Sequence, residues 1–120
     1  MFDHIGFEVS DLARSARFYD AVVHALGLRR QFESPHAIAW GDNEPLLWVV
    51  VRGLAPAPGY GHVALRASGR VAVDAAHAAG LANGGSDAGA PGPRPQYGRG
   101  CYAGYLHDPD GLRVELVTRA

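Results

Sequence analysis

Hydrophobic and polar positions change rhythm along this chain in an order that runs through twice. Phe2 to Val9 reads F-D-H-I-G-F-E-V. This alternation puts Ile5, Phe7 and Val9 on one side and Phe2, His4, Gly6 and Glu8 on the other, as in a half-buried strand. Ser10 and Asp11 then supply N-cap chemistry. Leu12, Ser15, Phe18 or Tyr19, Val22 or Val23, and Leu26 recur at helical spacing until Gly27. A helix is therefore predicted over about residues 11–26. Short runs at 30–33, 36–40 and 46–52, the last two separated by Gly41-Asp42-Asn43, read as three further strands.

The segment Gly53-Leu-Ala-Pro-Ala-Pro-Gly59 has the prolines and flanking glycines of a connector. Beyond it the order repeats: a strand over 61–67, then a helix over about 71–82 that Asn83-Gly84-Gly85 ends. A strand near 88–90 follows, then strands over 101–107 and 112–118 joined by the turn Asp108-Pro109-Asp110-Gly111. The expectation is an α+β fold of one domain. Two βαβββ modules, 1–53 and 61–120, are joined by a linker at 54–60, and their curved mixed sheets shape a cup-like cleft.

Composition narrows the function classes. A protein of 120 residues with 48% hydrophobic and 19% charged positions is long enough and apolar enough for one packed core. Eleven basic residues stand against twelve acidic ones, for a formal charge of −1, and no basic run exceeds Arg29-Arg30, so nucleic acid is not an expected partner. The longest apolar run, Leu46 to Val51, falls far short of the roughly 20 residues a membrane span needs. The first residues carry no leader pattern. No membrane partner is expected, and the location expected is cytoplasmic. A lone cysteine, Cys101, excludes an internal disulfide.

The candidate chemistry lies on the strand faces turned away from the helices. On the last strand Glu115 shares parity with Arg113 and Val117, opposite Leu112, Val114 and Leu116. His62 likewise lies opposite Val63 and Leu65, and His4 opposite Ile5 and Phe7. Taken singly, each histidine reads as an ordinary strand or surface residue. Together, two imidazoles and a carboxylate suit a divalent metal (Zn, Mn, Fe, Co or Ni) and leave coordination positions open for water or substrate. Glu8, on the face of His4, reads either as a general base or as a rim carboxylate paired with Arg66.

Tyr97, Tyr102 and Tyr105 read as proton donors or aromatic walls, and Trp48 as a wall of an apolar pocket. Arg94 and Arg99, in a loop rich in glycine and proline, match a carboxylate or phosphate on a small-molecule substrate. Catalytic roles fall to Glu115, Glu8 and Tyr105, and substrate contacts to Trp48, Arg94, Tyr97 and Tyr102. His24, His36 and His77 read as helix or loop surface, His107 as a strand-end residue, and Asp108-Pro-Asp-Gly111 as a structural turn.

Three segments carry a resemblance. The opening H-I-G-F-E-V-S-D-L-A-R-S-A-R-F-Y, the central segment G-H-V-A-L-R-A and the closing H-D-P-D-G-L-R-V-E-L-V resemble the vicinal oxygen chelate superfamily. That superfamily holds glyoxalase I, bleomycin-resistance and extradiol-dioxygenase proteins. The segment G-A-P-G-P-R-P-Q-Y-G, residues 89–98, is similar to a loop of a glyoxalase-like subgroup.

The resemblance implies that His4, His62 and Glu115 are the metal ligands and that a metal-dependent lyase, isomerase or transferase acts on a small oxygen-rich substrate. It also implies a homodimer, with sites formed within one protomer or from modules of two. The sequence departs from glyoxalase I on the last strand of the first module. There Leu46-Leu-Trp-Val-Val-Val51 offers no fourth glutamate or glutamine ligand. Two other readings stay open: a metal-independent drug-binding protein of the bleomycin-resistance type, and an Fe(II) dioxygenase of the extradiol type.

Overall fold

The structure, a computed structural model, describes residues 1–54, 56, 59 and 61–120. The first module comprises β1 (Ile5–Glu8), α1 (Leu12–Ala25), β2 (Arg29–Glu33), β3 (Ala37–Gly41) and β4 (Pro45–Val50). The second comprises β5 (His62–Arg66), α2 (Arg70–Ala82), β6 (Ser86–Pro93), β7 (Tyr102–His107) and β8 (Arg113–Thr118), with a 3₁₀ turn at Pro95–Tyr97. The predicted pair of βαβββ modules is present. Each forms its own four-stranded mixed sheet, ordered β1-β4-β3-β2 and β5-β8-β7-β6. The sheets are separate hydrogen-bonded units and are not closed on one another. Most of the predicted linker lies outside the described residues.

Local chemistry sets the element ends. Asp11 caps α1 by accepting the Arg14 N–H at 3.0 Å, and Gly27, at φ 85°, ends it in the left-handed conformation. The buried stripe of α1 (Ser15, Phe18, Tyr19, Val22 and Val23) follows the predicted period. β1 is shorter than predicted and leaves His4 just before it. β6 is longer than predicted, because its prolines and glycines sit on an edge strand with two register shifts against β7.

The two helices pack on each other as well as on their own sheets. One hydrophobic cluster joins Phe18, Tyr19, Val22, Trp40 and Val49 of the first module to Val73, Leu106, Val114 and Leu116 of the second. Glycine makes the close approach possible. A Cβ on Gly80 of α2 would collide with Leu106 Cδ1 and lie only 3.0 Å from Val22 Cγ2 and 3.1 Å from Phe18 Cε1. One on Gly85 would collide with Phe18 Cε1 and lie 2.9 Å from the Gly80 carbonyl oxygen.

The Asp108-Pro-Asp-Gly111 turn does more than reverse the backbone. Its own geometry is closed by Gly111 N–H donating to the Asp108 carbonyl at 2.9 Å. Asp108 Oδ1 accepts the backbone N–H groups of Asp110 and Leu112, and Oδ2 accepts the Tyr19 hydroxyl of α1 at 2.7 Å. Asp110 takes the backbone N–H and hydroxyl of Ser10 and pairs with Arg14 at 3.1 Å. The turn of the second module thus fastens the start of the first module's helix. Burial pushes the Asp108 carboxyl up, against the opposing pull of its hydrogen bonds.

Packing this close can be tested by adding a methyl group. Helix propensity alone favours Gly80→Ala by about 1 kcal/mol, whereas overpacking a closed core costs about 1–3 kcal/mol. Urea unfolding should therefore show Gly80→Ala, and Gly85→Ala with it, destabilised. A stabilised Gly80→Ala would contradict the close helix crossing.

Tyr19→Phe removes the donor to a buried carboxylate and should cost about 1–3 kcal/mol at neutral pH. A carboxyl whose folded pKa lies above its unfolded value of about 3.9 binds more protons folded than unfolded, so its contribution declines as pH rises through that window. Losing the hydroxyl raises the folded pKa further. The penalty should therefore shrink when unfolding is measured near pH 4, and a penalty that grows toward acid would contradict the assignment.

Candidate functional site

The open face of the second sheet brings two of the three candidate ligands together. β5 and β8 run parallel with Ala64 opposite Glu115 and His62 opposite Arg113, which leaves His62 and Glu115 as diagonal neighbours on one face. His62 Nε2 stands 3.1 Å from Glu115 Oε1, with the histidine side chain 44% exposed and the glutamate 13%. An imidazole nitrogen and a carboxylate oxygen so placed are a donor pair that suits a divalent cation.

Tyr105 lies beside them, directly opposite Glu115 across β7 and β8, and is buried. Burial pushes its phenol up, and the neighbouring Glu115 adds to the shift. The group therefore stays neutral in the physiological range and can donate a hydrogen bond, but is poorly suited to act as a base. The Arg113 guanidinium lies 4.2 Å from the Tyr105 ring centroid and that of Arg94 5.5 Å from it.

The first sheet carries the third candidate, His4, on its own open face. His4 Nδ1 is 2.6 Å from Asp3 Oδ1, and its ring meets Trp48 edge-on at 6.3 Å. Trp48 in turn packs on Phe32 at 5.2 Å, so the site of the missing fourth ligand is an aromatic wall. His4 does not join His62 and Glu115. Among the described residues no three His, Cys, Asp or Glu side chains gather closely enough to hold a metal. The donor set fits such an ion in its chemistry, but one protomer presents it as a pair and a separate histidine.

Other candidates separate by location. Glu8 takes its ion pair from Arg52 at 2.9 Å, not from Arg66, and that fork occupies both carboxylate oxygens. Tyr102 faces α2: its hydroxyl donates to Asp74 at 2.6 Å and Arg70 lies over its ring, so it does not line the open face with Tyr105. The reason is parity, since Tyr102 is three residues from Tyr105 on one strand. Tyr97 stands at the edge of the Tyr105 pocket. Arg99 is exposed, and His107 closes β7.

His77 is buried in α2 and is not the surface residue its sequence position suggested. Its Nε2 lies 3.0 Å from Asp87 Oδ1 and 3.1 Å from the Tyr105 carbonyl oxygen. Both partners are acceptors, so Nε2 carries the proton and pins the backbone of Tyr105. The helical stripe Val73, Ala76, His77, Gly80 contained the signal, because His77 occupies a core position of that period.

Comparison with known proteins places this geometry in a family. The family model described as Glyoxalase/Bleomycin resistance protein/Dioxygenase superfamily matches residues 1–116. A glyoxalase/bleomycin resistance protein from Albidiferax ferrireducens T118 is 30% identical, with 98% of this chain and 97% of that one covered and a TM-score of 0.86. A glyoxalase-related enzyme from Fulvimarina pelagi is 25% identical, with coverages of 98% and 86% and a TM-score of 0.77. The fosfomycin resistance protein FosX from Mesorhizobium loti shares the fold at 20% identity, coverages of 98% and 91% and a TM-score of 0.72. Curated protein sequences give no significant match. The match over nearly the whole length and the paired βαβββ modules establish that the chain belongs to the glyoxalase/bleomycin resistance protein/dioxygenase superfamily.

Proposed function

We propose that the protein is a divalent-metal-dependent lyase, isomerase or transferase acting on a small oxygen-rich substrate, with His62 and Glu115 of one protomer and His4 of a second copy as the ligands. The observation that carries this reading is the His62–Glu115 pair, 3.1 Å apart on an open sheet face. Supporting the second copy, Phe32 and Leu46 are 45% and 44% exposed on the face that carries His4 and Trp48. An apolar strip of that kind on a sheet edge and face is better covered than left in water. A twofold dimer would present each His4 to the other protomer's pair and use the same surface twice.

A bound ion would supply Lewis-acid chemistry, favouring negative charge on a substrate oxygen. The protein's own groups set the rest. Tyr105, neutral and buried, donates a hydrogen bond toward a substrate oxygen beside Glu115. Glu8 is held by Arg52 at the rim of the first sheet, where it positions that rim; a role as base requires it to leave the ion pair. Trp48 and Phe32 form an apolar wall that excludes water and orients the substrate.

That aromatic wall favours a second reading, in which the protein binds a flat ligand without metal, as a drug-binding protein of the bleomycin-resistance type. Metal content separates the two. Mass spectrometry of untagged protein purified without chelator should find about one metal ion per protomer, with the metal lost in His62→Ala and in Glu115→Ala while both variants stay folded. Retention of stoichiometric metal in either variant, or no uptake of Zn, Mn, Fe, Co or Ni by the wild type, would remove the metal-dependent reading and leave the binding protein.

A further inference from the structure

We infer that the cavity beside Tyr105 is an anion subsite, so that the substrate carries a carboxylate or phosphate-type group seated between Arg94 and Arg113; this rests on the catalytic reading above. The cavity holds about 170 Å³ and is lined by Gly89, Arg94, Gln96, Tyr97, Tyr105 and Arg113, together with Ala88. At roughly 30 Å³ per water molecule, that is room for one small polyatomic anion and a little solvent.

Two guanidinium groups converge here on one ring, at 4.2 and 5.5 Å from the Tyr105 centroid. Neither forms an ion pair among the described residues, in contrast to Arg14, Arg30 and Arg52, each of which sits against a carboxylate. Like charges brought together repel, and an anion between them reverses the sign of that interaction. The Arg94 guanidinium spends one donor on the Ala90 carbonyl at 2.6 Å. Its Nε is buried with no partner, a donor for which an acceptor is missing.

The backbone holds this cavity open and fixed. Gly89 forms one side: a Cβ there would lie 3.0 Å from Tyr105 Cδ2 and 3.6 Å from Arg94 Nη2, filling the space an anion would take. The loop that brings in Arg94 is tied at both ends. Arg94 N–H donates to the Cys101 carbonyl at 2.8 Å and Arg119 donates to the Tyr97 carbonyl at 2.8 Å. Gln96 and Tyr97 complete the lining.

Position relates the cavity to the ligand pair. Arg113 is two residues before Glu115 on the same face of β8 and directly opposite His62 on β5. A two-residue step along a strand is roughly 7 Å. An anionic group seated at Arg113 therefore leaves the other end of a small molecule within reach of His62 and Glu115. The substrate class this describes is a short molecule with metal-chelating oxygens at one end and a carboxylate, phosphate or phosphonate at the other.

The test uses the metal-free protein. Inorganic phosphate and acetate are titrated separately while the Arg Nε–H and Gly89 amide resonances are followed by NMR. Saturable shifts of those resonances are expected, with affinity falling about tenfold or more in Arg94→Met and in Arg113→Met. Binding of phosphate alone would assign a phosphate-type group, and binding of acetate as well a carboxylate.

No saturable shift in folded wild type, or affinity that survives both arginine variants, would overturn the subsite. Metal content read on the same proteins keeps the two claims apart. Wild type that binds the anion but takes up no metal would retire the catalytic reading while retaining the pocket.

Discussion

The packing of α1 on α2 is the constraint on which the rest of this molecule depends. It exists because Gly80 and Gly85 leave space that Phe18 and Val22 occupy, and because a buried hydroxyl of the first module finds a buried carboxylate of the second. Once the helices are committed to one another and to the inner faces of their sheets, chemistry can be carried only on the outer faces. The His62–Glu115 pair, Tyr105 and the two arginines on its ring all lie on one such face. His4, Trp48 and Phe32 lie on the other. The division of the three candidate ligands between two separate sheets is thus a consequence of core packing, and for that reason the proposed function draws the third from a second protomer.

Much of the fold was legible because its signals are local. The α1 stripe, its Asp11 cap and its Gly27 stop are contained within sixteen or so consecutive positions, and each acts through a backbone conformation that the sequence alone specifies. The parity of Val114 and Leu116 against Glu115 likewise needs no partner to be read. β6 was harder. Its residues, S-D-A-G-A-P-G-P, lack every strand preference, and it is a strand only because β7 offers one free edge and the register shifts absorb the glycines.

The sequence named candidate ligands but said less of their surroundings. Parity and resemblance together pointed to His4, His62 and Glu115, yet neither says whether two sheets close on each other; that depends on helix contacts between residues some sixty positions apart. Tyr102 and Tyr105 look alike in sequence, but an odd-numbered step puts them on opposite faces, with Tyr102 bound to Asp74 and Tyr105 beside Glu115. Arg113 shared parity with Glu115 from the start, but the cavity that gives it meaning comes from Gly89 and Arg94, which only the fold brings to it.

The most direct test of the shared site is subunit mixing. His4→Ala and His62→Ala proteins, each unable to hold metal alone, are combined under conditions of subunit exchange and their metal content is measured. If the site is shared between protomers, mixed dimers regain one whole site, because each protomer supplies the ligand the other lacks. With statistical exchange, metal returns to about one quarter of the wild-type content. If all three ligands come from one protomer, every site in the mixture stays defective and no metal returns, which would contradict the account.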